Sequence, residues 1–284
     1  MNAKANPAAS VRARLLNRAK ADKAEFQLVL TRFALERLLY RLSKSPHRDQ
    51  FLLKGALLFD LWFDEPHRPT RDADFLGFGS ANIPRIENIF RDICKIAAAE
   101  DGMVFDPASV KGQEIRKEAN YSGIRITLMA TLDGAGCPVQ ADIGFGDAVT
   151  PGPEEAEYPV YLNDLPVPNL RVYPKYSAIA EKFEAIVSLG MGNSRMKDFF
   201  DLWVLTRNSE LKPKTLRAAV EATFDRRGTV IPASTPIGLS DEFASDRIKQ
   251  TQWRAFIAKN RLNAPELGEI VTLLRNYFVS TLGQ

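Results

Sequence analysis

The spacing of apolar residues changes once along this chain, and that change limits the folds open to it. Between residues 123 and 146 the period is two. In "GIRITLMATL", residues 123–132, Ile124, Ile126, Leu128, Ala130 and Leu132 alternate with Arg125, Thr127, Met129 and Thr131. In "PVQADIGFG", residues 138–146, Val139, Ala141, Ile143 and Phe145 lie on one face, and Gln140 and Asp142 on the other. Such alternation predicts half-buried strands. Beyond residue 174 the period is helical, with segments near 175–190, 195–208, 213–226, 241–260 and 264–281 separated by glycine, proline or asparagine. The stretch between, "TPGPEEAEYPVYLNDLPVPNLRVYP" at 150–174, holds too much proline for a central strand or a helix and reads as an extended connection. The chain is therefore expected to be α+β and two-lobed. Residues 1–150 form N-terminal helices and a mixed α/β lobe, 151–174 a connection, and 175–284 a helical bundle.

Within the first lobe, residues 11–45 are expected to be helical, with Phe26, Leu30 and Phe33 at helical spacing. "PRIENIFRDICKIAAAE" predicts an amphipathic helix on Ile86, Ile89, Ile93 and Ile96. "QFLLKGALLFDLWF" predicts a short buried strand from Phe51 to Lys54, a turn at Gly55 and a helix beginning near Ala56. Its apolar run is broken by Lys54 and Asp60 and is too short for a bilayer, and the N-terminus lacks the apolar core of a signal peptide. A cytoplasmic protein is expected. Only Cys94 and Cys137 occur, beside 2 histidines, so a disulfide framework or a structural zinc site is not expected. Any metal must then be held by oxygen.

The net charge of +3 is unevenly spread. Residues 1–50 carry 11 basic and 4 acidic groups, residues 51–170 carry 10 and 19, and residues 171–227 carry 11 and 7. An acidic middle between basic flanks suits a cation site set in a surface that attracts polyanions such as RNA. Solvated basic helix faces fit the same counts.

Chemistry is suggested first by "RPTRDADFLGFG", residues 68–79, where Asp72 and Asp74 sit two apart in a strand-like run. Alternation puts both carboxylates on one face, opposite Ala73 and Phe75. Like charges so close repel unless a cation relieves them. With Asp142 on a later strand they give three carboxylates a sheet could gather, and Mg²⁺ needs one or two of them beside water and substrate phosphates. Asp-x-Asp pairs also occur as solvated groups at strand ends. Gly55, at a strand-to-helix turn, frees backbone N–H groups that can hold phosphate, or it serves as simple turn chemistry.

Two further stretches stand out in the helical lobe. In "YPKYSAIAEKFEAIVSLG", Ile179, Phe183, Ile186 and Val187 form an apolar stripe with Lys182 at its edge. In "NSRMKDFFDLWVL", Met196, Phe199, Phe200 and Trp203 form one apolar face, yet Leu202 and Leu205 lie beside Asp198 and Asp201. A helix apolar on so much of its surface is buried, and buried carboxylates need a cation such as Lys182 or Arg195. A structural ion-pair network and a catalytic one both fit this pattern.

"KGALLFDLW" followed by "RPTRDADF", "AEKFEAI" and "RMKDFFDLW" resembles, from about residue 20 to about 205, the AbiEii/MenT family of nucleotidyltransferase toxins. These are the toxic halves of type IV-like toxin–antitoxin pairs, within the DNA polymerase β-type nucleotidyltransferase superfamily. The resemblance implies a nucleotidyltransferase lobe with a mixed sheet joined to a helical lobe, with a nucleoside triphosphate in the cleft between them. It implies that Asp72 and Asp74 bind metal, that Asp142 is the third sheet carboxylate, as base or metal ligand, and that Lys182 holds triphosphate. Asp201 would be the essential aspartate of a Lys-Asp-x-x-Asp motif completed by Lys197 and Asp198, and Gly55 and Ala56 would lie against the nucleotide.

Characterised members of the family add nucleotides to the 3′ end of tRNA and so block translation, and their antitoxins often carry a winged-helix domain. One departure stands out. Where the family has Gly-Gly-Thr or Gly-Gly-Ser, this chain has Gly55, Ala56 and Leu57 and loses a hydroxyl. That loss favours a second reading, a catalytically silent RNA- or antitoxin-binding module on the same scaffold.

Overall fold

The computed structural model describes residues 6–63, 68–117 and 121–282. Helix α1 (Pro7–Ala21) opens on the Asn6 side chain, which accepts from the Ala9 N–H at 3.2 Å, and on a proline whose missing N–H costs nothing there. It ends before Lys23, whose φ of 50° is left-handed. Helix α2 (Phe26–Lys44) starts afresh. The helical region expected over 11–45 is therefore two helices, because a residue in the left-handed region breaks the hydrogen-bond ladder.

Strand β1 (Phe51–Lys54) spans the residues expected of it. A single 3₁₀ turn, Gly55–Leu58, and a short helix α3 (Phe59–Trp62) return the chain to β2 (Asp72–Gly77). Helix α4 (Ile83–Cys94) follows, capped by Asn82 accepting from the Arg85 N–H at 3.0 Å. It buries Ile86, Ile89 and Ile93 as expected and stops before Ile96. Strands β3 (Met103–Lys117), β4 (Tyr121–Leu132) and β5 (Ala135–Phe145) form an antiparallel meander.

The sheet is mixed, in the order β3-β4-β5-β2-β1-β7-β6. β5 runs parallel to β2, β1 antiparallel to β2, and β7 parallel to β1. One face is apolar. Ile124, Ile126 and Leu128 from β4, Val139, Ala141 and Ile143 from β5, and Phe75 from β2 are all buried. Phe51 meets Phe75 edge-on at 5.8 Å and Phe90 of α4 at 6.0 Å, which fixes α4 against this face.

The proline-rich stretch is not a plain connection. It supplies β6 (Glu154–Glu157) and β7 (Asn169–Val172), paired antiparallel, and β7 lies inside the sheet between β1 and β6. The prolines fall outside both four-residue strands, so no ladder donor is lost. Residues Glu154–Val172 accordingly belong with Met1–Gly146 in one compact unit, and Asp147–Pro153 with Tyr173–Gln284 in a second.

The second unit is helical. It comprises α5 (Lys175–Leu189), α6 (Met196–Asn208), α7 (Pro213–Arg227), α8 (Asp241–Ser245), α9 (Arg247–Asn260) and α10 (Leu267–Leu282). The helix expected over 241–260 is broken at Asp246, whose carboxylate accepts from the Lys249 N–H at 2.9 Å and starts α9. Phe183 of α5 stacks on Phe278 of α10 at 3.9 Å and meets Phe224 of α7 at 5.5 Å. Among the described residues no helix is long and apolar enough to cross a membrane.

Candidate functional site

Register, more than sequence spacing, decides which side chains meet on the polar face of the sheet. Lys54 pairs with Asp74, Asp74 with Asp142, and Asp142 with Arg125, so one row crosses β1, β2, β5 and β4. Residues directly opposite one another point to the same face. The row therefore reads cation, anion, anion, cation. Asp72 lies one step along, in register with Gln140.

Arg125, missed as a site residue, is the cation that holds Asp142. Its Nε donates to Asp142 Oδ1 at 2.8 Å and its Nη2 to Oδ2 at 2.7 Å, a bidentate pair in which Asp142 is 4% exposed. The guanidinium pKa is raised, chiefly by that hydrogen bond. Burial opposes the rise, and the charges of Asp142, Asp72 and Asp74 add to it in that order.

Asp72 and Asp74 are both half-buried on β2. The Thr70 hydroxyl, also missed, donates to Asp72 Oδ1 at 2.6 Å and fixes its carboxylate. Gly55, at φ 76°, lies directly against Asp74: a Cβ there would sit 2.2 Å from Asp74 Oδ2 and 2.8 Å from its Cγ. Only glycine lets the backbone approach so closely. Among the described residues no group of three or more His, Cys, Asp or Glu side chains is placed to hold a metal ion. Asp142, expected as the third sheet carboxylate, lies beside Asp74 and turns both oxygens to Arg125.

The helix expected from Ala56 is a 3₁₀ turn and one four-residue helix, too short for the dipole-backed phosphate site anticipated at its start. Ala56 itself is buried. Cys94 and Cys137 are buried, and burial pushes the Cys94 thiol up to about 12 and raises Cys137, which removes both as nucleophiles.

In the helical unit, Asp198 and Asp201 of α6 are 0% exposed, and the expected partners are both present. Lys182 Nζ donates to Asp198 Oδ1 at 3.1 Å and to Asp201 Oδ2 at 2.7 Å, and Arg195 Nε donates to Asp198 Oδ2 at 2.6 Å. Burial would raise the Asp198 pKa, but Lys182 and Arg195 outweigh it and hold the group below the usual range. Lys182 sits at the edge of the α5 stripe, 14% exposed, and Lys197 is exposed.

The fold is similar to two solved structures from Helicobacter pylori, each 14% identical in sequence. JHP933 superposes with a TM-score of 0.54, covering 90% of this chain and 94% of that one. A protein provisionally described as a nucleotidyltransferase superposes with a TM-score of 0.51, covering 90% and 96%. Nothing among curated proteins matches the chain. The family model for the nucleotidyl transferase AbiEii toxin of type IV toxin–antitoxin systems matches residues 37–275, a span that includes every site residue named above, and by that match this chain belongs to the AbiEii family of nucleotidyltransferase toxins.

Proposed function

We propose that the chain transfers nucleotides from a nucleoside triphosphate to an RNA acceptor, the 3′ end of tRNA, and that this modification blocks translation. The observation that carries the reading is the half-buried Asp72–Asp74 pair on the polar face of the sheet, with the Gly55 backbone pressed against Asp74. This oxygen-only donor set suits a hard cation, and the missing Cβ of Gly55 lets the Asp74 carboxylate lie against the backbone. Mg²⁺ held by Asp72 and Asp74 would supply positive charge for the triphosphate and its leaving pyrophosphate.

Lys182 is assigned to the β- and γ-phosphate oxygens. Asp198 and Asp201 fix its ammonium group, and Lys197 adds positive charge on the same helix. The backbone of Gly55 and Ala56 is assigned to the nucleotide. The acceptor's terminal hydroxyl attacks the α-phosphorus in line and pyrophosphate leaves. The excess of 11 basic over 4 acidic groups in residues 1–50 supports an RNA acceptor. The family implies an antitoxin partner, and we assign it a winged-helix domain.

The alternative, a silent binding module, is favoured by Ala56 and Leu57, which offer no hydroxyl. Against it stands Thr70, which brings a hydroxyl to Asp72 from another segment. The test is incubation with each labelled triphosphate, Mg²⁺ and total RNA, beside an Asp72→Ala variant. Label should pass to tRNA with the parent protein and not with the variant. Equal labelling by both, or labelling by neither, sinks the transferase reading, and toxicity that persists in Asp72→Ala cells supports the binding module.

A further inference from the structure

The Arg125–Asp142 pair has no part in the reaction outlined above, and its geometry suggests one. A guanidinium carries five N–H donors. Nε and one N–H of Nη2 are spent on Asp142. Gln140 flanks the same pair, and with its amide oxygen turned toward the guanidinium it accepts from Nε at 3.2 Å and Nη2 at 3.3 Å. In either orientation of that amide, Nη1 takes no bond from the described residues, nor is it among the buried atoms that lack a partner. The Arg125 side chain is 33% exposed and that of Asp142 6%, so the carboxylate lies beneath and the guanidinium opens outward.

An arginine whose fork is clamped by a buried carboxylate keeps its plane and presents the remaining edge at a fixed angle, which suits a tetrahedral anion. A carboxylate with both oxygens on a guanidinium is correspondingly ill suited to bind a cation, since the arginine's charge repels the metal.

We propose that Arg125 is a phosphate-binding residue of the Asp72–Asp74 site, presenting Nη1 to a phosphate group there, and that Asp142 is its positioning residue, with no place in the cation's coordination shell. The inference rests on the metal and triphosphate reading given above. The phosphate belongs either to the triphosphate or to the backbone of the RNA acceptor.

The test compares Arg125→Gln, Asp142→Asn and the double variant with the parent chain. The double variant carries no buried unpaired charge and so keeps the fold if the single changes do not. Three affinities are measured: Mn²⁺ without nucleotide, each common ribonucleoside triphosphate with Mg²⁺, and total tRNA without nucleotide. Loss of a charge-assisted hydrogen bond to phosphate should weaken one phosphate ligand by about tenfold or more in Arg125→Gln and in the double variant. Asp142→Asn alone should give a smaller loss of the same ligand, because the guanidinium persists but is no longer oriented.

Mn²⁺ affinity should hold within about threefold in the double variant, whereas Asp72→Asn should lose it by tenfold or more. Loss confined to the triphosphate assigns Arg125 to the nucleotide, and loss confined to tRNA assigns it to the acceptor. Unchanged affinity for both overturns the proposal, as does loss of Mn²⁺ in the double variant, which would make Asp142 a cation ligand. If Asp72→Asn leaves Mn²⁺ and triphosphate affinity intact, the underlying metal reading fails instead, and the assignment of Arg125 to that site falls with it.

Discussion

Two charge clusters in this protein have the same composition, but one buries both of its aspartates and the other buries Asp142 and leaves Asp74 half-buried. The helical unit joins two aspartates, Asp198 and Asp201, to Lys182 and Arg195. The sheet lines up two aspartates, Asp74 and Asp142, between Lys54 and Arg125. On α6 the aspartates are one turn apart, so a single ammonium reaches both and the carboxylates can be wholly buried. On the sheet, neighbouring strands lie about 4.8 Å apart, which spreads the row over about 14 Å and leaves a cation at each end with the two acids adjacent in the middle. Arg125 can clamp only the nearer one. A helical contact gathers both carboxylates on one ammonium, whereas a sheet register spreads its charges along a row.

The sharpest way to break this contrast is at Lys182. Replacing it with methionine leaves Asp201 without the ammonium that holds it at 2.7 Å and Asp198 with Arg195 alone, both fully buried. Removing one partner of a buried pair costs roughly 3–5 kcal/mol. Urea unfolding of Lys182→Met should show a loss of that size, with the slope unchanged. A loss below about 1 kcal/mol would mean that the cluster is hydrated and open, and the contrast with the sheet would vanish.

Gly55→Ala probes the sheet cluster. Its φ of 76° disfavours alanine by roughly 1–2 kcal/mol, and the new Cβ would fall 2.2 Å from Asp74 Oδ2, so the carboxylate must swing away. A stability loss of about 1–3 kcal/mol is expected, together with at least a tenfold loss of Mn²⁺ affinity. Retention of cation binding would separate Gly55 from the site. The corresponding positive-φ glycine of the helical unit, Gly228 at φ 65°, meets no atom within 4 Å, so Gly228→Ala should show the backbone cost alone.

Much of this layout was readable before any coordinates. Alternation over 123–132 and 138–146 gave strand faces directly, and the buried pattern of α6 announced that Asp198 and Asp201 needed a cation. β3 escaped notice because Pro107, Gly112 and a register shift between Asp106 and Lys111 scramble its alternation, as befits a bulged strand at the sheet's end. β7 escaped because four residues between prolines carry too little period to detect. Arg125 could be assigned to the polar face of its strand, but its partner is fixed by which residue of β5 lies opposite, and a period of two says nothing about register. Thr70 escaped for the same reason at shorter range, since its bond to Asp72 depends on how the chain bends before β2.

The smallest stability change should come from the most consequential carboxylate for chemistry. Asp72 is half-exposed, has the Thr70 hydroxyl as its one hydrogen-bond donor among the described residues, and lies on the face that already carries Asp74 and Asp142. Asp72→Asn keeps an acceptor for Thr70 while it removes one negative charge from three. The relief of repulsion and the loss of Arg125's long-range attraction act in opposite directions, each by less than about 1 kcal/mol at a half-exposed position. Thermal unfolding in metal-free buffer should therefore shift by no more than a few degrees in either direction, while transfer activity and Mn²⁺ affinity collapse. A fold that depended on Asp72 as α6 depends on Lys182 would unfold instead, and the two clusters would then contribute alike to stability.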